Sequence, residues 1–366
     1  SLNLGGATIV NDQGNPLFTT TPGTPNLDIP GSVNSISFSN NIVVNTAPPS
    51  VEKIETVVPN GSYGLGQTIP IVATLSEIIT AGQTFDVMLD TGRTVTLTTT
   101  TTELATGDYV VQAGDTSADL DVIDIPPNAA LSVVDSSGYS LLTNLPTDNI
   151  GSLKDIVIDS TPPTVASFTT SKADGLYGAG VAIDLTVTMS EPVRANSSMD
   201  VTLNTGAVVR VVAAAAGTTL SGTYTVDGTD TSVEDLSVAS YSSIVVRDAA
   251  GNPIASTSLP TFPNNLGDAS DIEIDTSSPT ITSISAPDGL YSENDTITLT
   301  AQLSEAIEAG KNIELTLDTG DVIMFTTDGS DIVSADYTVG SGDNSTDLSV
   351  TKAAASGTVN DAAGNP

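Results

Sequence analysis

The sequence predicts an all-β chain built from tandem two-layer units, and three observations carry that reading. Marked segments recur at one constant spacing, apolar residues alternate with period two inside each recurrence, and Thr, Ser and Val are abundant.

The spacing is fixed by several marks. Tyr63, Tyr177 and Tyr291 are equally spaced, and so are Glu77, Glu191 and Glu305. Around them recur NGSYGLG from Asn60, DGLYGAG from Asp174 and DGLYSEN from Asp288. LDTG, LNTG and LDTG end at Gly92, Gly206 and Gly320, and GDTSADL, GTDTSVEDL and GDNSTDL start at Gly114, Gly228 and Gly342. Each unit then carries a turn, DSSG from Asp135 or DAAGNP from Asp248 and Asp361, and closes on a short apolar strand and a proline, as in IVIDSTPP ending at Pro163 and IEIDTSSP ending at Pro279. Residues 47–160 and 161–276 are therefore whole units. Residues 1–46, with VNDQGNP ending at Pro16 and NIVVNTAPP ending at Pro49, match the closing part of a unit, and residues 277–366 form one lacking its closing strand. The expectation is a window on a longer array, or a subunit that shares a unit with its neighbour.

Within a unit the strands read from their alternation. Ile69, Ile71, Ala73 and Leu75 correspond to Ile183, Leu185, Val187 and Met189, and to Ile297, Leu299, Ala301 and Leu303, so one face of this strand is core. The next strand places Phe85, Val87 and Leu89 inside, matched by Met199, Val201 and Leu203 and by Ile313, Leu315 and Leu317. After the TG turn come Val95 and Leu97, then Val209 and Val211, then Ile323 and Phe325. No stretch keeps a 3.6-residue period over three turns, and Ala213 to Ala216 is too short for a helix. About seven short strands with Gly, Asp, Asn and Pro turns between them read as an immunoglobulin-like β-sandwich per unit.

Composition narrows the chemistry. The 366 residues include no His, Cys or Trp, and 9 Lys+Arg face 44 Asp+Glu for a net charge of −35. There is no imidazole base, no thiol nucleophile and no zinc, copper or iron–sulfur site built from His or Cys ligands. The charge repels nucleic acid and anionic membrane surfaces, and its natural counterpart is a hard cation held by oxygen. Strand order brings the linker Asp159, Glu191 of the SE pair and Asp248 of DAAGNP to one pole of a unit, with Asp275, Glu305 and Asp361 at the next pole and Asn45, Glu77 and Asp135 at the first. Ca²⁺ takes 6 to 8 oxygens from carboxylates, carbonyls and water, which such poles supply. The same Asp and Asn residues also serve as turn caps that need no ion. Asp90 and Asp318, with Asp115, Asp230 and Asp343, fall at the opposite pole, where turn chemistry accounts for them. The repeated Tyr is read as a plug at the end of the sandwich with its hydroxyl at the rim, in preference to a carbohydrate platform. Lys53, Lys154, Lys172, Lys311 and Lys352 share no position between units, so no repeated isopeptide staple is expected. The acids recur in every unit, whereas a catalytic carboxylate pair is needed once, so no enzymatic activity is expected.

The succession DGLYGAG, a strand ending in SE, DTG, GDTSADL, DAAGNP and a VIDSTPP linker resembles the tandem immunoglobulin-like or cadherin-like repeats of large bacterial surface proteins, including adhesin stalks and surface-layer proteins. That resemblance implies an exported extracellular array at the cell surface, rigidified by calcium, with the linker Asp, the Glu of SE and the Asp of DAAGN as ligands. The first unit departs from it, with Asn45 and Asn60 in place of Asp. The expected function is structural, with neighbouring repeats or further copies of the chain as partners; an adhesive module that binds a glycan or host partner through its loops is the alternative.

Overall fold

The computed structural model describes residues 45–127 and 133–366. The chain is nearly all β. In chain order the first repeat holds β1 (Val51–Thr56), β2 (Gly61–Tyr63), β3 (Thr68–Leu75), β4 (Thr84–Leu89), β5 (Thr94–Thr99), β6 (Leu104–Val110), β7 (Thr116–Ser117), β8 (Val122–Asp124), the helical turn α1 (Ile150–Leu153) and β9 (Ile156–Asp159). The second holds β10 (Val165–Thr169), β11 (Gly175–Tyr177), β12 (Ala182–Val193), β13 (Ser198–Leu203), β14 (Val208–Val212), β15 (Gly217–Thr225), β16 (Val238–Val245), the helical turn α2 (Leu266–Ala269) and β17 (Ile272–Ile274). The third holds β18 (Ile281–Ser285), β19 (Thr296–Leu303), β20 (Asn312–Leu317), β21 (Val322–Thr326), β22 (Ile332–Thr338) and β23 (Val350–Ser356).

One topology recurs. The main sheets run β1-β3-β6-β5-β4-β8 and β10-β12-β15-β14-β13-β16, and the third repeat has the same order divided into β18-β19-β22 and β21-β20-β23. The two halves of each main sheet meet at a narrow seam, Thr98↔Thr106 and Thr99↔Ala105 in the first and Val212↔Ser221 in the second. Both halves turn their apolar residues to one core: Ile69, Ile71 and Leu75 of β3 and Phe85, Val87 and Leu89 of β4 are buried in one cluster. The alternation expected for the other repeats is equally realised, from Ile183 to Leu203 and from Ile297 to Leu317. The two helical turns were not expected. Each is four residues long, too short to leave a periodic signal, and each is held by an N-terminal Asn in a capping box, Asn149 with Ser152 and Asn265 with Asp268. Among the described residues no helix is long and apolar enough to cross a membrane.

The closing strand pairs parallel to the short strand of the Tyr element, Gly61↔Ile156 to Tyr63↔Ile158 and Gly175↔Ile272 to Tyr177↔Ile274. The strand expected at Asn41 to Asn45 lies outside the described residues apart from Asn45. The repeated Tyr packs half-buried against its core and donates its hydroxyl four residues back, from Tyr63 to the Pro59 carbonyl at 2.6 Å, Tyr177 to Ala173 at 2.8 Å and Tyr291 to Pro287 at 3.1 Å. A side chain tied to its own loop in this way braces the loop.

A second tyrosine forms a lock that sequence reading passed over. Tyr109 donates to Asp115 Oδ2 at 2.8 Å, Tyr224 to Asp230 at 2.7 Å and Tyr337 to Asp343 at 2.5 Å, each Asp also accepting a backbone N–H three residues before it. The signal was a Tyr six residues ahead of the loop Asp in every repeat. In the first repeat Arg93 Nε adds a charged bond at 2.7 Å to Asp115, which is buried. Burial pushes the Asp115 carboxyl up, but the Gln112 N–H, the Arg93 guanidinium and the Tyr109 hydroxyl together hold it below the usual aspartate value. Burial, with the adjoining Asp343 carboxylate, pushes the Tyr337 hydroxyl up to about 12.

Tyr109→Phe leaves the buried carboxylate one donor short and is expected to cost about 1 kcal/mol at neutral pH. Because the folded-state pKa of Asp115 is depressed, its contribution is present above the ordinary aspartate value and is lost as pH falls through the folded one. The difference between the two chains in urea midpoint should therefore shrink in acid; equal midpoints at neutral pH would refute the lock.

Candidate metal centre at the repeat junctions

Three separate pieces of chain build each pole. Asp159 is the last residue of β9 and leads into the next repeat. Glu191 lies near the end of β12, beyond Thr188, where the pairing with β15 shifts register. Asp248 follows β16, and an isolated bridge Val193↔Asp248 draws it against β12. Carboxylate oxygens of Asp159, Glu191 and Asp248 all lie within 4.8 Å of one another, as do those of Asp275, Glu305 and Asp361. Sequence order thus placed six of the expected acids as the structure does. Glu77 and Asp135 are also brought together, through Asn45, as described below.

The DAAGNP turn fixes the most buried acid. Asp248 Oδ1 accepts the Gly251 N–H at 2.6 Å and the Asn252 N–H at 2.8 Å, while Oδ2 accepts Asn252 Nδ2 at 2.7 Å. Asp361 is held alike by Asn365, at 2.8 Å to Oδ1 and 2.9 Å to Oδ2. Asp159 and Asp275 each accept one backbone N–H two residues on, from Thr161 and Ser277, both at 2.9 Å. These bonds satisfy the outer lone pairs and leave the charges facing inward. None of the ion pairs among the described residues involves the six acids.

Like charges at such range repel by roughly 4 kcal/mol per pair at 4 Å and an effective dielectric of about 20. Two or three such pairs rival the whole stability of a domain, of order 5–15 kcal/mol. The strain shows in the glutamates. Burial first, then the charges of Asp275 and Asp361, push the Glu305 carboxyl up to about 7, and Glu191 is raised by burial and by Asp159 and Asp248. The donor set is all oxygen, as a hard divalent cation requires. The side-chain oxygen of Asn360, next to Asp361, is moreover buried without a hydrogen-bond partner.

The first pole has an amide where the other two have a third acid. Asn45 stands where Asp159 and Asp275 stand, and its Oδ1 accepts the Ala47 N–H at 3.1 Å in the same local turn. Its amide Nδ2 donates to Glu77 Oε2 at 2.9 Å and to Asp135 Oδ2 at 3.0 Å. A neutral donor bridges two carboxylates, and the third charge is absent.

The poles are also where repeats touch, through residues that sequence reading missed. Asn252 Nδ2 donates to the Asp159 carbonyl at 2.8 Å, and its Oδ1 accepts the Leu65 N–H of the first repeat at 2.8 Å. Asn365 does the same with the Asp275 carbonyl at 2.9 Å and the Ala179 N–H at 3.4 Å. The approach demands glycine at the facing turn: a Cβ on Gly64 would sit 2.5 Å from Asn252 Oδ1, and one on Gly178 2.5 Å from the Ala363 carbonyl. The signal was available in the Asn of each GNP and in the Gly after Tyr63 and Tyr177. The opposite-pole acids stay out of these clusters. Asp90 and Asp318 each accept a serine hydroxyl at 2.6 Å, from Ser117 and Ser345, as turn residues do. The sequence matches no family model and no curated protein.

Asn45→Asp converts the first pole into a three-carboxylate cluster and removes its bridging donor. In chelator the substituted chain is expected to lose about 1–3 kcal/mol, read as a lower melting temperature, and millimolar Ca²⁺ should restore it. A substitution without effect in chelator would show that the Asn45 bridge carries no load.

Proposed function

We propose that the chain is a non-catalytic structural repeat region of an exported cell-surface protein, a lattice, stalk or fibre component. It is built as tandem immunoglobulin-like β-sandwiches whose junctions are rigidified by Ca²⁺. The domains of that array are residues 47–160, 161–276 and 277–366, preceded by the closing part of another at 1–46. Asp159, Glu191 and Asp248, and Asp275, Glu305 and Asp361, are the proposed ligands. Glu77 and Asp135 belong to a junction that Asn45 bridges by hydrogen bonds.

One observation carries the reading: the same pole occurs as three carboxylates twice and as two carboxylates with a bridging amide once. The amide stands in the place of the linker acid and gives the other two acids the positive partner that a cation would give them in the other poles. A divalent cation there would offset most of the acids' charge and tie the linker to a strand and a turn of the next repeat, at the point where Asn252 and Asn365 already join the repeats. Stiffness between repeats is what a stalk or lattice needs, and nearest-neighbour coupling is enough to provide it. Two half-exposed carboxylates and one buried one suit the weak class of extracellular calcium site, with dissociation constants of about 10⁻⁴–10⁻³ M.

Calorimetric titration is expected to find two Ca²⁺ sites. Chelation should lower the melting temperature and broaden the small-angle scattering dimensions. Asp159→Asn, which copies the first junction, should remove one of the two sites and lessen the effect of chelator. Melting and dimensions indifferent to EDTA, with no saturable Ca²⁺ heat, would overturn the reading.

A further inference from the structure

The Asp248 turn joins the first two repeats and the Asp361 turn the last two, yet the first of these joints carries a clasp that the second lacks. Arg194 Nη2 donates to the Ala249 carbonyl and Arg247 Nη1 to the Gly251 carbonyl, both at 2.7 Å. The backbones of the two arginines are joined as well, Arg194 N–H to the Arg247 carbonyl at 2.8 Å, so the turn is gripped from both of the segments that lead to it. The grip reaches the neighbouring repeat. A Cβ on Gly251 would lie 3.4 Å from Arg194 Nη2 and 3.6 Å from Nε2 of Gln67 in the first repeat, and Gln67 Oε1 accepts the Gly64 N–H at 3.1 Å.

The Asp361 joint has the same frame with other side chains on it. Glu308 N–H bonds to the Asn360 carbonyl at 3.1 Å, which puts Glu308 in the place of Arg194 and Asn360 in that of Arg247. Glu308 pairs with Lys311 at 3.0 Å, and the Asn360 side-chain oxygen has no partner. Val181 stands where Gln67 stands, its N–H bonded to the Gly178 carbonyl as that of Gln67 is to Gly64. A Cβ on Gly364, the counterpart of Gly251, would meet nothing within 4 Å. The contact between the repeats is longer too: Asn365 accepts the Ala179 N–H at 3.4 Å, against 2.8 Å from the Leu65 N–H to Asn252.

We propose that Arg194 and Arg247 are positioning residues that make the Asp248 joint self-supporting, so that it keeps its geometry without a cation, whereas the Asp361 joint takes its fixed geometry from the cation. A guanidinium bonded to a carbonyl makes a charge-assisted hydrogen bond, one of the stronger kinds. Two of them fix the carbonyls of the turn before anything binds at Asp248. Neither arginine is among the ion pairs of the described residues, so the clasp shapes the turn and leaves the acids free to take a ligand. Its two positive charges, on the same turn, also offset part of the repulsion there. At the other joint a carboxylate replaces one of these charges and an amide the other. The array then contains one permanent joint and one conditional joint, and a fall in cation level frees it at a single point. The half of the inference that concerns the Asp361 joint rests on the reading of the poles as cation sites; the clasp does not.

The chain contains no cysteine, so paired cysteine substitutions in the full chain carry spin labels at chosen places. Thr106→Cys with Thr223→Cys spans the Asp248 joint, and Thr223→Cys with Thr338→Cys spans the Asp361 joint; all three threonines are exposed residues of strands. Double electron–electron resonance then reads a distance distribution across each joint. In EDTA it is expected to be narrow across the Asp248 joint and broad across the Asp361 joint, and millimolar Ca²⁺ should narrow the second and leave the first unchanged. Both arginines lie at the surface. Arg194→Gln with Arg247→Gln should therefore lose the narrow distribution of the Asp248 joint in EDTA with the core intact. The converse pair, Glu308→Arg with Asn360→Arg, should narrow the Asp361 joint in EDTA. Equal widths at the two joints in EDTA, or an Asp248 joint indifferent to the loss of both arginines, would overturn the proposal. A converse pair that transfers no order would overturn it as well, and decides the matter if the glutamine pair fails to fold. A narrow Asp248 joint and a broad Asp361 joint in EDTA, with Ca²⁺ altering neither, would sink the calcium reading and leave the clasp standing.

Discussion

Three carboxylates meeting at one point is the constraint around which this molecule is organised. Each whole repeat ends by sending a linker acid into a site that already contains a strand Glu and a turn Asp. Folding alone therefore brings together charges that repel. The chain answers with two different chemistries. At one pole a side-chain amide donates to both remaining acids; at the two others the third group is itself an acid, and the glutamate there is driven toward its protonated form.

The position of these poles turns a local electrostatic problem into a mechanical one. The Asp248 and Asp361 turns do two jobs with one asparagine each: the amide completes the hydrogen bonding of the acid, and the side-chain oxygen receives a backbone N–H of the preceding repeat. Whatever orders the acid cluster also orders the seat of the neighbouring repeat, because the two share a six-residue turn. Glycine at 64 and 178 is the counterpart of that seat, a residue chosen for what it lacks.

Elsewhere acidity is handled by ordinary means. The loop aspartates at the far pole are neutralised by hydroxyls and backbone N–H groups, with tyrosine in all three repeats and arginine added in one. The contrast separates two uses of the same residue type. An Asp ringed by donors is structural by itself, whereas an Asp facing other acids is incomplete.

The repeat spacing, the strands and their buried faces were all legible in the sequence, because alternation and turn chemistry are properties of residues close along the chain. The junction acids were legible too, since strand order alone sends them to one end. Local patterns do not carry distances between remote segments, and there the fold decided. Asp115 and Asp248 look alike in sequence, each in a loop rich in Gly and Asp; register and loop length put a tyrosine beside one and two carboxylates beside the other. Asn45 was visible as a departure from Asp, but its meaning emerged once its amide was found between Glu77 and Asp135. The contacts of Asn252 with Leu65 and of Asn365 with Ala179 join residues far apart in the chain, at positions 187 and 186 removed. Such contacts exist because the folded chain brings these turns together, and a meeting of that kind is written in tertiary structure alone.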